Sequence, residues 1–203
     1  MGSTQSDDEK PVHKVRISQL FYLGKYQVTQ AQWQAVMGGN PSRFKGGNLP
    51  VEMVSWEDCH EFIQKLNARG EGAYRLPTEA EWEYVCRAGT TGDYAGDLNK
   101  MGWYASNSGN KTHPIGQKKP NGWGLYDMHG NVWEWCEDWY ESGYYAKSLG
   151  SDPKGPSGGS FRVFRGGGWS ITAVYCRSAN RGSATPGYRG LALGFRLFRK
   201  AGR

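Results

Sequence analysis

A chain of 203 residues with a net charge of +6 is long enough to bury a sizeable core. Its mean hydropathy of −0.72 suits a water-exposed protein, and no apolar run approaches the roughly 18 residues a membrane span requires. The arginines behind the C-terminal charge, Arg162, Arg165, Arg177, Arg181, Arg189, Arg196 and Arg199, stand singly among glycines and aromatics, a pattern that favours pairing with carboxylates or carbonyls over nucleic-acid binding.

MGSTQSDDEKPVHK lacks the apolar centre of a secretory leader, and residues 1–7 read as a disordered or appended tail before a single domain spanning 8–203. The sequence leaves cellular location open, and display at a cell surface would need a leader or anchor outside these residues. Val15 to Val28 carries the β-branched and aromatic residues of strands. Thr29-Gln30-Ala31-Gln32 then matches a capping box that opens a helix to about Met37. A second helix is expected from Ser55, with Trp56, Cys59, Phe62, Ile63 and Leu66 on one face and Gly70 as its stop. Pro77 and the Thr78/Glu81 capping box predict a third.

Beyond Ala88 glycine, asparagine and tryptophan dominate, and periodicity predicts only short strands at 161–164 and 194–198. With 30 glycines, 9 tryptophans and 12 tyrosines, the composition implies irregular structure fixed by aromatic packing. The cysteines Cys59, Cys86, Cys136 and Cys176 have no CxxC spacing and are expected as buried free thiols, and the four histidines form no zinc or iron pattern.

Five segments in order, FYLGKYQVTQAQWQAVMG, PVEMVSWEDCHEFIQKLN, YRLPTEAEWEYVCRAG, NGWGLYDMHGNVWEWCEDWY and RGGGW…CRSANR…LGFR, carry a resemblance to the formylglycine-generating enzyme and sulfatase-modifying-factor family. The resemblance runs from about Asp8 to Arg199. It implies an α+β fold of the C-type lectin type, with two helices, a small twisted antiparallel sheet and much ordered irregular structure.

The family's enzymes oxidise a substrate cysteine at a copper(I) ion held by two thiolates, soft ligands suited to that ion. Counted forward from Gly168, the two ligand positions fall on Ile171 and Cys176; counted back from LGFR, Cys176 falls on a non-catalytic position. Either register leaves at most one thiolate, so neither bound copper nor this chemistry is expected. The resemblance also implies a structural calcium ion at Asp127, the carbonyls of Gly130 and Val132, and Glu134, an all-oxygen set suited to a hard cation. Pairing of Asp127 and Glu134 with nearby arginines is the alternative.

Within Arg165 to Arg196 the stretch also resembles the variable proteins of diversity-generating retroelements, whose templates place AAY codons inside a fixed RGGSW…CRSANR…LGFR frame. Changing the first two bases of AAY never yields Lys, Glu, Gln, Met or Trp. Ser170, Ile171, Thr172, Ala173, Val174, Tyr175, Gly182, Ser183, Ala184, Thr185, Gly187, Tyr188, Gly190, Leu191 and Ala192 all pass this test, and Gly168 fits as an altered serine codon. Trp169, Cys176, Arg181, Arg189 and Phe195 are expected to point inward and hold the segment. The expected function is noncatalytic recognition of a macromolecule, most naturally a protein, with Tyr175 and Tyr188 as anchors. An enzyme or accessory factor of the same family acting through another site is the alternative.

Overall fold

Three helices begin at side-chain caps written in the sequence. In the computed structural model, which describes residues 1–70 and 72–201, they are α1 (Gln30–Met37), α2 (Trp56–Asn67) and α3 (Glu79–Arg87). Thr29, Ser55 and Thr78 each accept a hydrogen bond from the third helical N–H, while Gln32, Asp58 and Glu81 reach back to the cap N–H. Gly38, at φ 84°, ends α1 in the left-handed region. A one-turn helix, α4 (Leu98–Met101), follows. The family resemblance implied two helices; the third arises because Trp82, Val85 and Cys86 give α3 a buried face of its own.

Two small sheets support the helices. Strands β1 (Phe21–Leu23) and β2 (Tyr74–Arg75) flank β7 (Phe198–Lys200), both antiparallel to it. The second sheet has the order β5-β4-β3-β6, from β3 (Trp133–Trp139), β4 (Arg162–Arg165), β5 (Arg181–Ala184) and β6 (Leu193–Gly194). Its β3–β6 pair is parallel, the others antiparallel. The expected strand at 194–198 is thus divided between two sheets.

The main core joins α1 and α2 to the second sheet. Trp33 stacks on Phe62 at 5.3 Å between ring centroids, Phe195 meets both edge-on, and Val51, Val54, Leu76, Trp135 and Leu193 close around them. Trp82, Cys86, Met128, Cys136 and Val163 form a second cluster beneath α3. All four cysteines are free and buried.

Residues 1–7, expected as a tail, instead lie along the protein. The Met1 ammonium donates to the His13 carbonyl at 2.8 Å, and the buried Gly2 N–H donates to Glu83 Oε1 at 2.9 Å. Arg87 donates to the Gly2 carbonyl and Gln5 to Asp93, so several contacts share in holding this stretch. Among the described residues no helix is long and apolar enough to cross a membrane.

Candidate functional site

The RGGGW…CRSANR…LGFR frame is held by buried ion pairs. Arg165 is 0% exposed and donates to Glu79 Oε1 (3.0 Å) and Glu83 Oε2 (2.6 Å) on α3. It also reaches the carbonyls of Ser178 and Ala179, so one side chain ties the CRSANR backbone to α3. Arg177 pairs with Glu9, Arg181 with Glu79, and Arg196 with Glu134, each through two hydrogen bonds of 2.6–2.9 Å. Gly166 (φ 100°) and Gly167 (φ 80°) turn the chain after β4. A Cβ at Gly166 would lie 2.9 Å from the Trp82 ring, and one at Gly167 would collide with Cys176 Sγ.

Between these anchors the backbone is bound, while the exposed side chains stand clear of the core. The Gly190 carbonyl accepts from the Met53 N–H, that of Ala192 from Trp133, that of Ile171 from Ala105, and that of Pro186 from Trp56 at the start of α2. Tyr94 Oη donates to the Ala173 carbonyl, and Trp169 Nε1 to the Leu191 carbonyl, which joins the loop after β4 to the loop before β6. Ser170, Thr172, Val174, Tyr175, Thr185, Gly187, Tyr188 and Leu191 are exposed, whereas Ile171, Ala173, Gly182, Ser183, Ala184, Gly190 and Ala192 are half-buried. Ser170, Tyr188, Gly190, Leu191 and Ala192 line one groove of about 620 Å³. Thr172, Val174 and Tyr175, on and beside a one-turn 3₁₀ segment (Ala173–Cys176), do not line it.

Sequence reasoning missed the groove's fixed lining, Met53, Trp133 and Phe164. The available signal was the two-residue spacing of Trp133 and Trp135, which places both rings against Phe164, at 5.0 and 5.5 Å. Two expectations need correction. Arg189 does not pack inward: it is exposed and pairs with Asp58 through two 2.7 Å hydrogen bonds, because Asp58 stands at the first turn of α2 beside it. Gly168, expected on the binding surface, is buried, and a Cβ there would lie 3.0 Å from that of Ala192.

Gly182 is constrained as well, since a Cβ on it would collide with the half-buried Phe164 ring. Gly182→Ser is therefore expected to cost about 1–3 kcal/mol through overpacking. Thr185→Asn, at an exposed turn, is expected to stay within about 0.5 kcal/mol of the parent. Urea unfolding of both variants checks the contrast, and equal stabilities would show that Phe164 gives way freely.

Counted forward from Gly168, one copper-ligand position falls on Ile171, which offers no donor atom. Burial pushes the Cys176 thiol up to about 12 and the Cys86 thiol likewise to about 12, which disfavours the thiolate form of both. Cys86 Sγ lies 3.8–3.9 Å from the His129 ring nitrogens, but that imidazole is already committed. Its Nε2 accepts from the Ala95 N–H at 3.0 Å, so Nδ1 carries the proton and donates to the Cys176 carbonyl at 2.8 Å. Burial pulls its pKa down to about 4. The neutral ring thus clamps the loop that holds Cys176 instead of standing free as a base.

The residues aligned with a family calcium site converge, though around a different group. Gln27 Nε2 lies 3.2 Å from the backbone carbonyls of Asp127 and Gly130, 2.9 Å from that of Val132 and 3.0 Å from Glu134 Oε1. The Asp127 carboxylate instead accepts from the Gly116 N–H at 2.8 Å, and burial pushes its pKa up to about 6. Glu134 is 0% exposed, fully engaged by Arg196, and also accepts from Trp82 Nε1 at 2.6 Å. This arrangement does not fit a calcium ion. Asp127 holds the Gly116 N–H through Oδ2 while its Oδ1 is buried without a partner among the described residues, Glu134 is neutralised by an arginine, and an amide nitrogen sits at the centre.

Comparison with known proteins places this geometry. The formylglycine-generating enzyme of Streptomyces coelicolor is 39% identical over 189 residues, covering 83% of this chain and 58% of that protein, so the chain spans a little over half of that relative. The solved structure of variable protein 1 of Treponema denticola superposes with a TM-score of 0.93 at 36% identity, covering 98% of this chain and 91% of that one. PvdO from Pseudomonas aeruginosa gives a TM-score of 0.90 at 28% identity, with 99% and 90% covered. The sulfatase-modifying factor enzyme 1-like domain matches residues 1–201, and the chain, with its C-type-lectin-like α+β fold, belongs to that family.

Proposed function

We propose that this protein is a noncatalytic binding member of its family, whose C-terminal loops recognise a macromolecular partner, most naturally a protein, and are varied by a retroelement. The observation that carries the reading is the division of labour within residues 168–192. Frame residues and neighbouring backbone amides fix the loop carbonyls, while Val174, Tyr175, Tyr188 and Leu191 stand 46–50% exposed. Side chains placed this way can change without disturbing the core, and tyrosine supplies contact area at low entropic cost. The likeness to the Treponema denticola variable protein supports it, as does the passage through the AAY codon test of the positions between the frame residues, all of them exposed or half-buried except Gly168. No copper or nucleic acid enters this reading.

Sequencing the 3′ end of the gene and its flanking DNA in independent isolates tests the proposal. The expected result is a near-copy of the segment encoding 165–196, differing only opposite template adenines, beside a reverse transcriptase gene. If the segment is invariant and no such copy exists, diversification is excluded. The identity with the Streptomyces coelicolor enzyme favours a second reading, catalysis or an accessory role in the same family. Conversion of a cysteine-containing sulfatase peptide to its aldehyde by the purified protein would establish that reading in place of the first.

A further inference from the structure

Gln27 sits at the convergence of four oxygen atoms from the 127–134 turn and strand, all within 3.2 Å of its Nε2. Three are backbone carbonyls and the fourth is a carboxylate oxygen, so every neighbour is an acceptor. Such a cluster of lone pairs inside a protein is unfavourable unless something positive occupies its centre. A divalent cation is one solution. A side-chain amide is another: its two N–H donors serve two of the four oxygens at a time, and here its own Oε1 is left without a partner among the described residues.

We infer that the Gln27 amide takes the place of the cation in this chain, so that the 127–134 turn folds without calcium. Gln27 is 1% exposed and enters from the segment just before α1, whose cap Thr29 fixes its approach. The charge balance agrees. Glu134 supplies one negative charge, and Arg196 matches it with hydrogen bonds of 2.6 and 2.7 Å to both oxygens. An added divalent ion would meet a set already neutral and would have to work beside a guanidinium. The Asp127 carboxylate, which could have supplied the second negative charge, holds the Gly116 N–H through Oδ2, and its Oδ1 is buried without a partner among the described residues.

The turn is also shaped for an internal donor. Gly130, at φ 117°, approaches the Trp103 carbonyl so closely that a Cβ there would collide with it. Asn131 donates from its backbone N–H to the same carbonyl at 2.8 Å. Its side chain accepts from the His113 N–H and donates to the His113 carbonyl, both at 3.0 Å. These contacts orient the carbonyls of Gly130 and Val132, which meet Gln27 Nε2 at 3.2 and 2.9 Å.

Two measurements on the whole protein test this. Metal content is determined by plasma mass spectrometry after purification without chelator, and thermal unfolding is followed in millimolar calcium chloride and in EGTA. Substoichiometric calcium and a Tm that does not change between the two buffers are expected. One calcium per chain, with a Tm several degrees higher in calcium, would overturn the inference and indicate that Gln27 turns its carbonyl oxygen inward as a ligand. Gln27→Ala removes the donors while leaving the oxygens together. Its Tm is expected to fall by roughly 3–10 °C in either buffer. An unchanged Tm would show that the amide does not hold the turn, which also overturns the inference.

Discussion

Replacing Arg165 by alanine is expected to destabilise the protein by about 3–5 kcal/mol, the usual loss when one partner of a buried ion pair is removed. For a chain of this size that is a fall in Tm of roughly 6–20 °C. The reason is the company Arg165 keeps: two carboxylates on α3 and two carbonyls of the CRSANR segment, all at 2.6–3.0 Å and all shielded from water. Glu79 would retain Arg181 and Glu83 would retain Arg87, but the carbonyls of Ser178 and Ala179 would lose a charged donor. A Tm within a degree of the parent would show that the network relaxes around the gap.

The same substitution has a signed pH dependence. Burial alone would raise the Glu83 pKa, but the guanidiniums of Arg165 and Arg87 hold it below its ordinary 4.5. A carboxylate whose folded value lies below its unfolded one contributes stability above the unfolded value and loses it as the pH falls. The gap in Tm between parent and variant is therefore expected to be full at neutral pH and to narrow below about pH 4.5. A gap that stays constant through that range would point to lost packing instead of lost charge pairing.

Tyr175→Ala combined with Tyr188→Ala is expected to weaken binding on the order of 1000-fold, because two aromatic anchors are each worth about 2 kcal/mol or more at an interface. Both rings stand 50% exposed, and no side-chain hydrogen bond joins either to the described residues. Their removal is therefore expected to leave Tm within about 2 °C of the parent. The measurement is a titration of parent and double variant against a partner captured with the parent protein, with Tm recorded on the same samples. Full affinity in the double variant would move the binding surface away from these loops. Lost affinity together with a large fall in Tm would assign the tyrosines to the fold.

These two substitutions separate the frame from the surface it carries. Arg165 lies one residue before the first glycine of RGGGW, and Tyr175 lies one residue before Cys176, so the two classes alternate within a short stretch. Their effects differ because the frame side chains reach inward to α3 and to Glu9, whereas the exposed loop positions are held only through their backbones.

What was legible in the sequence was what neighbouring residues decide among themselves. The capping boxes of Thr29 with Gln32 and of Thr78 with Glu81 join residues three apart, and both helices start where those residues place them. The family frame was legible as well, and with it the fold class. Strand β3 was not, because its pattern sits among glycines and its partners β4 and β6 come from later, separate parts of the chain. With Trp135 in the main core and Cys136 in the cluster beneath α3, β3 is buried on both faces and shows little alternation of its own.

The partners of the charged residues were equally beyond reach. Arginines standing singly implied pairing, but only the packed chain matched Arg196 to Glu134, Arg177 to Glu9 and Arg165 to the α3 carboxylates. Arg189 stays at the surface, where it pairs with Asp58 at the start of α2. Gln27 lies about a hundred residues from the oxygens it gathers, and nothing in KYQVTQ marks it as their donor. Local sequence set the helix starts and the frame; tertiary packing decided which donor met which acceptor, because burial penalises every polar group that arrives without a partner.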